Sequence, residues 1–248
     1  MYNRILAPCS GALCLLLWTA PAVAGTLVID SDFELEGDIV CDASPCVRVI
    51  ASGVRFDGGG FTLDCGGNEY NGVEVAAAGV KVADLTVANC LNSFFVIGGA
   101  QSAGAKFERN RSVDQSNIGF GASAPRAKFE ENESSSVHSG ASGYVMNDSG
   151  AVVENNVATG GHVGILLNPT AAATRVENNQ VRDAGAYGIR VLDGATLNVL
   201  EVNTVQDSGT YDLSDENAGC DANVWEKNDF ATDNELGDDA GPGAGCIR

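Results

Sequence analysis

Basic residues are scarce in this chain. Its 248 residues hold 14 lysines and arginines against 33 aspartates and glutamates, for a formal net charge of −19, and only two histidines. A surface of that sign repels nucleic acid and anionic membranes, so neither is expected as a partner, and a polyanionic ligand would need a bridging cation. No long apolar run occurs beyond residue 20, so no lasting membrane span is expected. Nor does any stretch place apolar residues at i, i+3, i+4 and i+7 over two turns, which removes the helical repeats. No C-x-x-C pair is present, and the cysteines do not read as a zinc site. Gly58-Gly59-Gly60 lacks the Lys-Ser/Thr and following helix of a phosphate-cradling loop, which leaves it the role of a tight corner.

What the chain does have is one short phrase, repeated. It reads F-E-R-N at 107–110, F-E-E-N at 129–132, V-E-N-N at 153–156 and 176–179, L-E-V-N at 200–203 and W-E-K-N at 225–228. The closing asparagines Asn110, Asn132, Asn156, Asn179, Asn203 and Asn228 are 22, 24, 23, 24 and 25 residues apart. A fixed period of this size marks a stacked solenoid. A second phrase alternates with the first: N-G-V-E-V at 71–75, I-G-F at 118–120, S-G-Y-V at 142–145, V-G-I-L at 163–166 and Y-G-I-R-V at 187–191. Y-D-L at 211–213 fills the same slot with Asp212 in place of glycine. Runs of three to five β-formers, alternating apolar and polar and separated by Gly, Asn, Asp and Ser, are strand and turn chemistry.

The predicted fold is therefore all-β: a single-stranded parallel β-helix of about 8–9 coils, ~40 Å long at the strand spacing. Asparagine at one place in every coil would bond its counterparts above and below at ~4.8 Å, and it tolerates the left-handed backbone that corners demand. Residues 25–248 read as one domain. Residues 25–53 form an N-terminal cap, 54–210 regular coils, and 211–248 the last coil with an acidic cap, plugged by Trp225 and Phe230.

With these V-x-x-N and G-I-x-V coils the chain resembles the right-handed parallel β-helix proteins of the pectate-lyase-like superfamily, and among them secreted proteins of the periplasmic NosD type. The resemblance covers roughly 54–230. It implies a right-handed solenoid, and it implies polysaccharide as the ligand class, bound or turned over by a lyase, epimerase or hydrolase.

Residues 1–24 read as a secretory signal peptide: Arg4, then an apolar stretch from Ile5 to Ala20, then Ala22-Val23-Ala24 before Gly25. A secreted or periplasmic location follows. Six cysteines remain beyond that leader, and six permit 15 connectivities. The favoured set is Cys41–Cys46, Cys65–Cys90 and Cys220–Cys246, stapling both ends of a solenoid whose terminal coils lack a neighbour.

Site chemistry is thinner. Glu108, Glu130, Glu154 and Glu177, followed by Glu201 and Glu226, should form one outward column. It reads either as a solvated, salt-bridged stripe or as a calcium-binding one, since hard carboxylate oxygens suit that ion. The outward positions of the G-I-x-V strands are Glu74, Gly121, Val145, Leu166, Arg190 and Ser214, with no evident catalytic constellation. The candidates for chemistry are His138 and His162, each six residues after its asparagine, with Asp183 and Arg190. The glycine count places an insertion near His138, which would part the two rings. Tyr144 and Tyr187, beside the glycines, are candidate stacking platforms for a sugar or edge-of-core aromatics. The expected function is an exported scaffold that binds polysaccharide, with or without calcium; the alternative is an enzyme acting on a glycan docked along one sheet.

Overall fold

The computed structural model describes Ala22–Val23, residues 25–234 and residues 246–247. Most of the expected signal peptide and the acidic stretch 235–245 lie outside the described residues. The chain winds through three parallel sheets of nine strands each, visiting them in turn. Sheet A runs from Ala22–Val23 and Ile39–Cys41 to Thr204–Gln206, sheet B from Leu27–Ile29 to Tyr211–Asp215, and sheet C from Phe33–Glu34 to Val224–Glu226. Apart from short 3-10 turns at Gly99–Ser102 and Ala218–Ala222, the described residues are strand and turn. The β-solenoid expected from the period is what forms. The stretch 25–53 already carries strands of all three sheets, in register with the coils that follow.

Period-2 alternation sorts each strand into an inward and an outward set. Inside sheet B stand Val73, Phe94, Phe120, Tyr144, Ile165, Ile189 and Leu213, one per coil. Inside sheet C stand Val82, Phe107, Phe129, Val153, Val176, Leu200 and Trp225. Identical positions stack: Phe94 on Phe120 at 4.7 Å between centroids, Phe120 on Tyr144 at 5.0 Å, Phe107 on Phe129 at 5.2 Å. Each such pair adds roughly 0.5–1.5 kcal/mol beyond the area it buries.

The six asparagines align at the corner between sheets C and A, and all but the terminal Asn228 are almost wholly buried. From Asn132 on, each Oδ1 accepts from the asparagine of the preceding coil, while Asn110 Oδ1 accepts from the Leu85 N–H; each Nδ2 also reaches back to a strand carbonyl of the preceding coil. Asn132 donates to Phe107 at 3.0 Å, Asn156 to Phe129 at 2.8 Å. One detail of the sequence expectation is corrected. The left-handed residue is not the ladder asparagine but the one before it: Arg109, Glu131, Asn155, Asn178, Val202 and Lys227 have φ between 53° and 58°. The turn is made at that exposed position, so the asparagine side chain can point inward. A second, shorter ladder was not anticipated. At the corner between sheets B and C, Asn198 Oδ1 accepts from the Thr174 N–H at 2.9 Å, and Asn223 Oδ1 from Asn198 at 3.0 Å.

The C-terminal end is closed by carboxylates. Asp215, fully buried in an inward slot, accepts from Trp225 Nε1 at 3.0 Å, Asn223 Nδ2 at 3.1 Å and Asn217 Nδ2 at 2.8 Å. Asp212 accepts from the backbone N–H groups of Ala231 and Thr232 and of Ser208, and these bonds hold its carboxyl below the usual range even though burial opposes them. Trp225 is the expected plug, 2% exposed, with Phe230 partly buried against the core. All three favoured cysteine pairs are joined, with Cα separations of 5.3, 5.0 and 6.0 Å.

Candidate functional site

Of the three outer surfaces, that of sheet B is the apolar and aromatic one. Its middle column runs Glu74, Phe95, Gly121, Val145, Leu166, Arg190, Ser214. Gly121 is there because Phe95 lies across it: a Cβ at 121 would sit 2.4 Å from two carbons of the ring. Val145 faces outward yet is 5% exposed, closed over by its neighbours. Amides line both margins. Along one, Asn92 donates to Asn71 at 2.8 Å and Asn117 to Asn92 at 2.9 Å. Along the other, Asn147 donates to Ser123 at 3.2 Å, and Asn168 donates to Asn147.

Toward the C-terminal coils this floor ends in an aromatic cluster. His162 meets Tyr187 edge-on with centroids 6.5 Å apart, and Tyr187 leans toward Tyr211 at 6.4 Å. The Arg190 guanidinium lies 4.2 Å from the centre of the Tyr187 ring and pairs with Glu216, its Nε donating at 2.8 Å. A guanidinium so placed presents a rigid fork of donors, which suits it to orienting a ligand.

The structure brings together three of the predicted site residues, His162, Tyr187 and Arg190. It separates the others. His138 is not beside His162: the His162 N–H donates to Ala141 at 2.6 Å, so Ala141 holds the register position, and His138 sits in an exposed loop with Val137. The glycine count was the better guide. Asp183 occupies a left-handed corner after sheet A with φ 56°, as do Asp114 and Asp207. Their shared column is turn chemistry, since a short polar side chain tolerates that backbone. Tyr144 is corrected outright as a platform. It is wholly buried in the inward stack, its hydroxyl donating to the Asn132 carbonyl at 3.0 Å, and burial pushes its phenol well above the ordinary value.

Three residues of this surface escaped the sequence reading: Phe95, Tyr211 and Glu216. Phe95 was hidden because Ser93 replaces the glycine that marks the other strands. Tyr211 was visible in Y-D-L but not counted as outward. Glu216 lies past its strand, where only the fold carries it to Arg190.

On sheet C the glutamates do form one column, Glu108 to Glu226 in continuous register. Cations from the neighbouring column hold much of it. Lys81 reaches Glu108 at 2.5 Å, Lys106 reaches Glu130 at 2.6 Å, and Arg175 spans Glu177 at 2.5 Å and Glu201 at 3.2 Å. The Lys81 hydrogen bond, helped by the charges of Lys106 and Arg109, holds the Glu108 carboxyl down at about 2 against the effect of burial. Val152 takes the basic position beside Glu154. A calcium ion on this stripe would have to displace those lysines and arginines. Among the described residues no group of three or more His, Cys, Asp or Glu is arranged to hold a metal.

No curated protein matches the chain in sequence. Among solved structures it is similar to a variant of the tailspike protein of E. coli bacteriophage HK620 in complex with a pentasaccharide, at 14% identity and a TM-score of 0.60. That match covers 84% of this chain but 43% of the tailspike, so the chain spans less than half of that relative's length. The Dettilon tailspike protein aligns at 12% identity and a TM-score of 0.57, over 84% of this chain and 53% of the other. The A-module of a mannuronan C-5 epimerase from Azotobacter vinelandii aligns at 16% identity over 82% of this chain and 78% of the module, with a TM-score of 0.43. At these identities the likeness to the two tailspikes is one of fold. The family model described as "Right handed beta helix region" matches residues 71–241, well over half of the sequence, and the chain therefore belongs to the right-handed β-helix family.

Proposed function

We propose that this is an exported polysaccharide-binding protein whose glycan docks along the outer face of sheet B and is held there without being turned over. One observation carries the reading: an apolar and aromatic floor, from Phe95 to Tyr211, edged on both sides by asparagine amides. Sugar rings present apolar faces and hydroxyl rims, and a binding site for them combines an apolar floor with a few polar groups at the edges. The pentasaccharide in the tailspike complex gives the fold a precedent for oligosaccharide. Export is supported by the leader-like first 24 residues and by three disulfides, which persist in oxidising compartments.

Arg190, tied to Glu216 and lying against the Tyr187 ring, is placed to orient a sugar through its remaining donors. A glycan array followed by reducing-end and unsaturated-uronate assays tests the proposal. Saturable binding without turnover is expected. Turnover would move the protein to the lyases, epimerases or hydrolases. Repeating the binding in EDTA decides whether calcium takes part.

A further inference from the structure

The first coil turns a strand edge outward. Leu27–Ile29 and Phe33–Glu34 are the outermost strands of sheets B and C, and no strand follows them among the described residues. Such an edge offers unpaired N–H and C=O groups to a further strand. Apolar side chains gather beside it: Val28 is 53% exposed and Ile50 48%. Phe33 occupies an inward position, in register with the wholly buried Phe56, and is nevertheless 38% exposed, since no coil among the described residues covers it.

Around this apolar edge stand six exposed carboxylates, Asp30, Asp32, Glu34, Glu36, Asp38 and Asp42. No basic side chain occurs between Gly25 and Arg48, and none of the six is in an ion pair with a described residue. Unlike Glu108, Glu130, Glu177 and Glu201, they are bridged by no described lysine or arginine. Arg48 does stand in register with Val28, and the Arg55 N–H donates to Asp32 at 2.8 Å. Like charge at this density opposes a second copy docking on its own end. We infer that the N-terminal end of the solenoid docks an extended segment of a protein partner in which lysine or arginine alternates with apolar residues. The segment's main chain continues the sheet, its apolar side chains cover Phe33 and Val28, and its cations meet the carboxylates. Val28 continues the outward column of sheet B two coils before Glu74, so this surface meets the proposed glycan face at the first coil.

The probe is a fluorescent, end-blocked nonapeptide alternating valine and lysine, titrated by anisotropy into the protein as exported by an expression host. Saturable binding is expected, at least ten-fold weaker when three of its residues are proline and absent when glutamate replaces lysine. A D30N/D32N/E34Q/E36Q variant should bind at least ten-fold more weakly, with its melting temperature unchanged or raised. The inference is overturned if the proline peptide binds as well as the parent, because attraction without strand addition would account for that. Equal binding by the neutralised variant also overturns it. So does binding that occurs only after removal of a retained segment 1–24, which would make the chain's own leader the occupant.

Discussion

Asn156 accepts two hydrogen bonds from Asn132 through a single oxygen: the Asn132 backbone N–H lies 2.8 Å from Asn156 Oδ1 and the Asn132 side-chain amide 3.1 Å. The same pair of contacts links Asn110 to Asn132, Asn156 to Asn179, Asn179 to Asn203 and Asn203 to Asn228. Each asparagine thus satisfies the backbone of the coil before it and depends on the coil after it. The ladder ties together neighbouring coils that sheet pairing alone would leave free at the corner.

Asn156→Ala orphans two buried donors of Asn132 and the Phe129 carbonyl. Unsatisfied buried polar groups cost about 1–3 kcal/mol each, so a loss of roughly 2–4 kcal/mol is expected after local relaxation. Asn228→Ala, at the less buried end of the ladder, should cost about half as much. Urea denaturation of the two variants measures both, and equal losses would count against the ladder as described.

Glycine is required where a strand turns close to its neighbour and is replaceable where it does not. At Gly188 an added Cβ would fall 2.1 Å from Val205 Cγ1 and 2.6 Å from the Asp212 carbonyl. At Gly140 it would meet nothing within 4 Å. Gly188→Ala is expected to destabilise by about 1–3 kcal/mol or more, and Gly140→Ala to stay within about 0.5 kcal/mol, by thermal or urea unfolding.

The glutamate stripe predicts an acid dependence. Glu108, depressed to about 2, lends stability that is fully present above the ordinary carboxylate range and is lost as pH falls from about 4.5 through about 2. At pH 7, Glu108→Gln should melt slightly below the parent, and the gap should close by pH 2. Because the ion pairs are solvent-facing, 1 M salt should shrink the gap as well. A gap that is independent of pH would show that the carboxylate's charge is not what it contributes.

The two tyrosines beside strand glycines should separate cleanly. Tyr187→Ala is expected to weaken glycan binding about ten-fold, or roughly 1.4 kcal/mol, while barely moving the melting temperature. Tyr144→Phe removes a hydroxyl that donates to the Asn132 carbonyl and should cost about 0.5–1.5 kcal/mol of stability with binding unchanged. Calorimetric titration against the best array glycan, paired with denaturation of each variant, reads both effects.

Why one tyrosine was readable and the other misleading follows from geometry. Tyr144 comes just after its glycine and Tyr187 just before. The position after the glycine joins the inward column of Phe120 and Ile165; the position before it lies at the corner, beside Val163 and Tyr211. One residue of offset exchanges core for surface. The offset is fixed by how the corner folds, a matter of backbone path that composition does not record. His138 is the same lesson in a loop: an equal count from the ladder asparagine suggested adjacency, and a local insertion cancelled it.

By itself the sequence determined whatever repeats once per coil. A solenoid maps chain position onto axial position almost linearly, so a residue type recurring every 22 to 25 positions must stack on itself. The asparagine ladder, the glutamate column and the Cys65–Cys90 pair were legible for that reason. Tertiary structure alone decided what depends on the winding between repeats. It gave the left-handed turn to the residue before each asparagine, laid Phe95 across Gly121, and carried Glu216 from beyond its strand to Arg190. Those relations depend on the backbone path at each corner and on the direction in which each side chain leaves it, neither of which the period alone specifies.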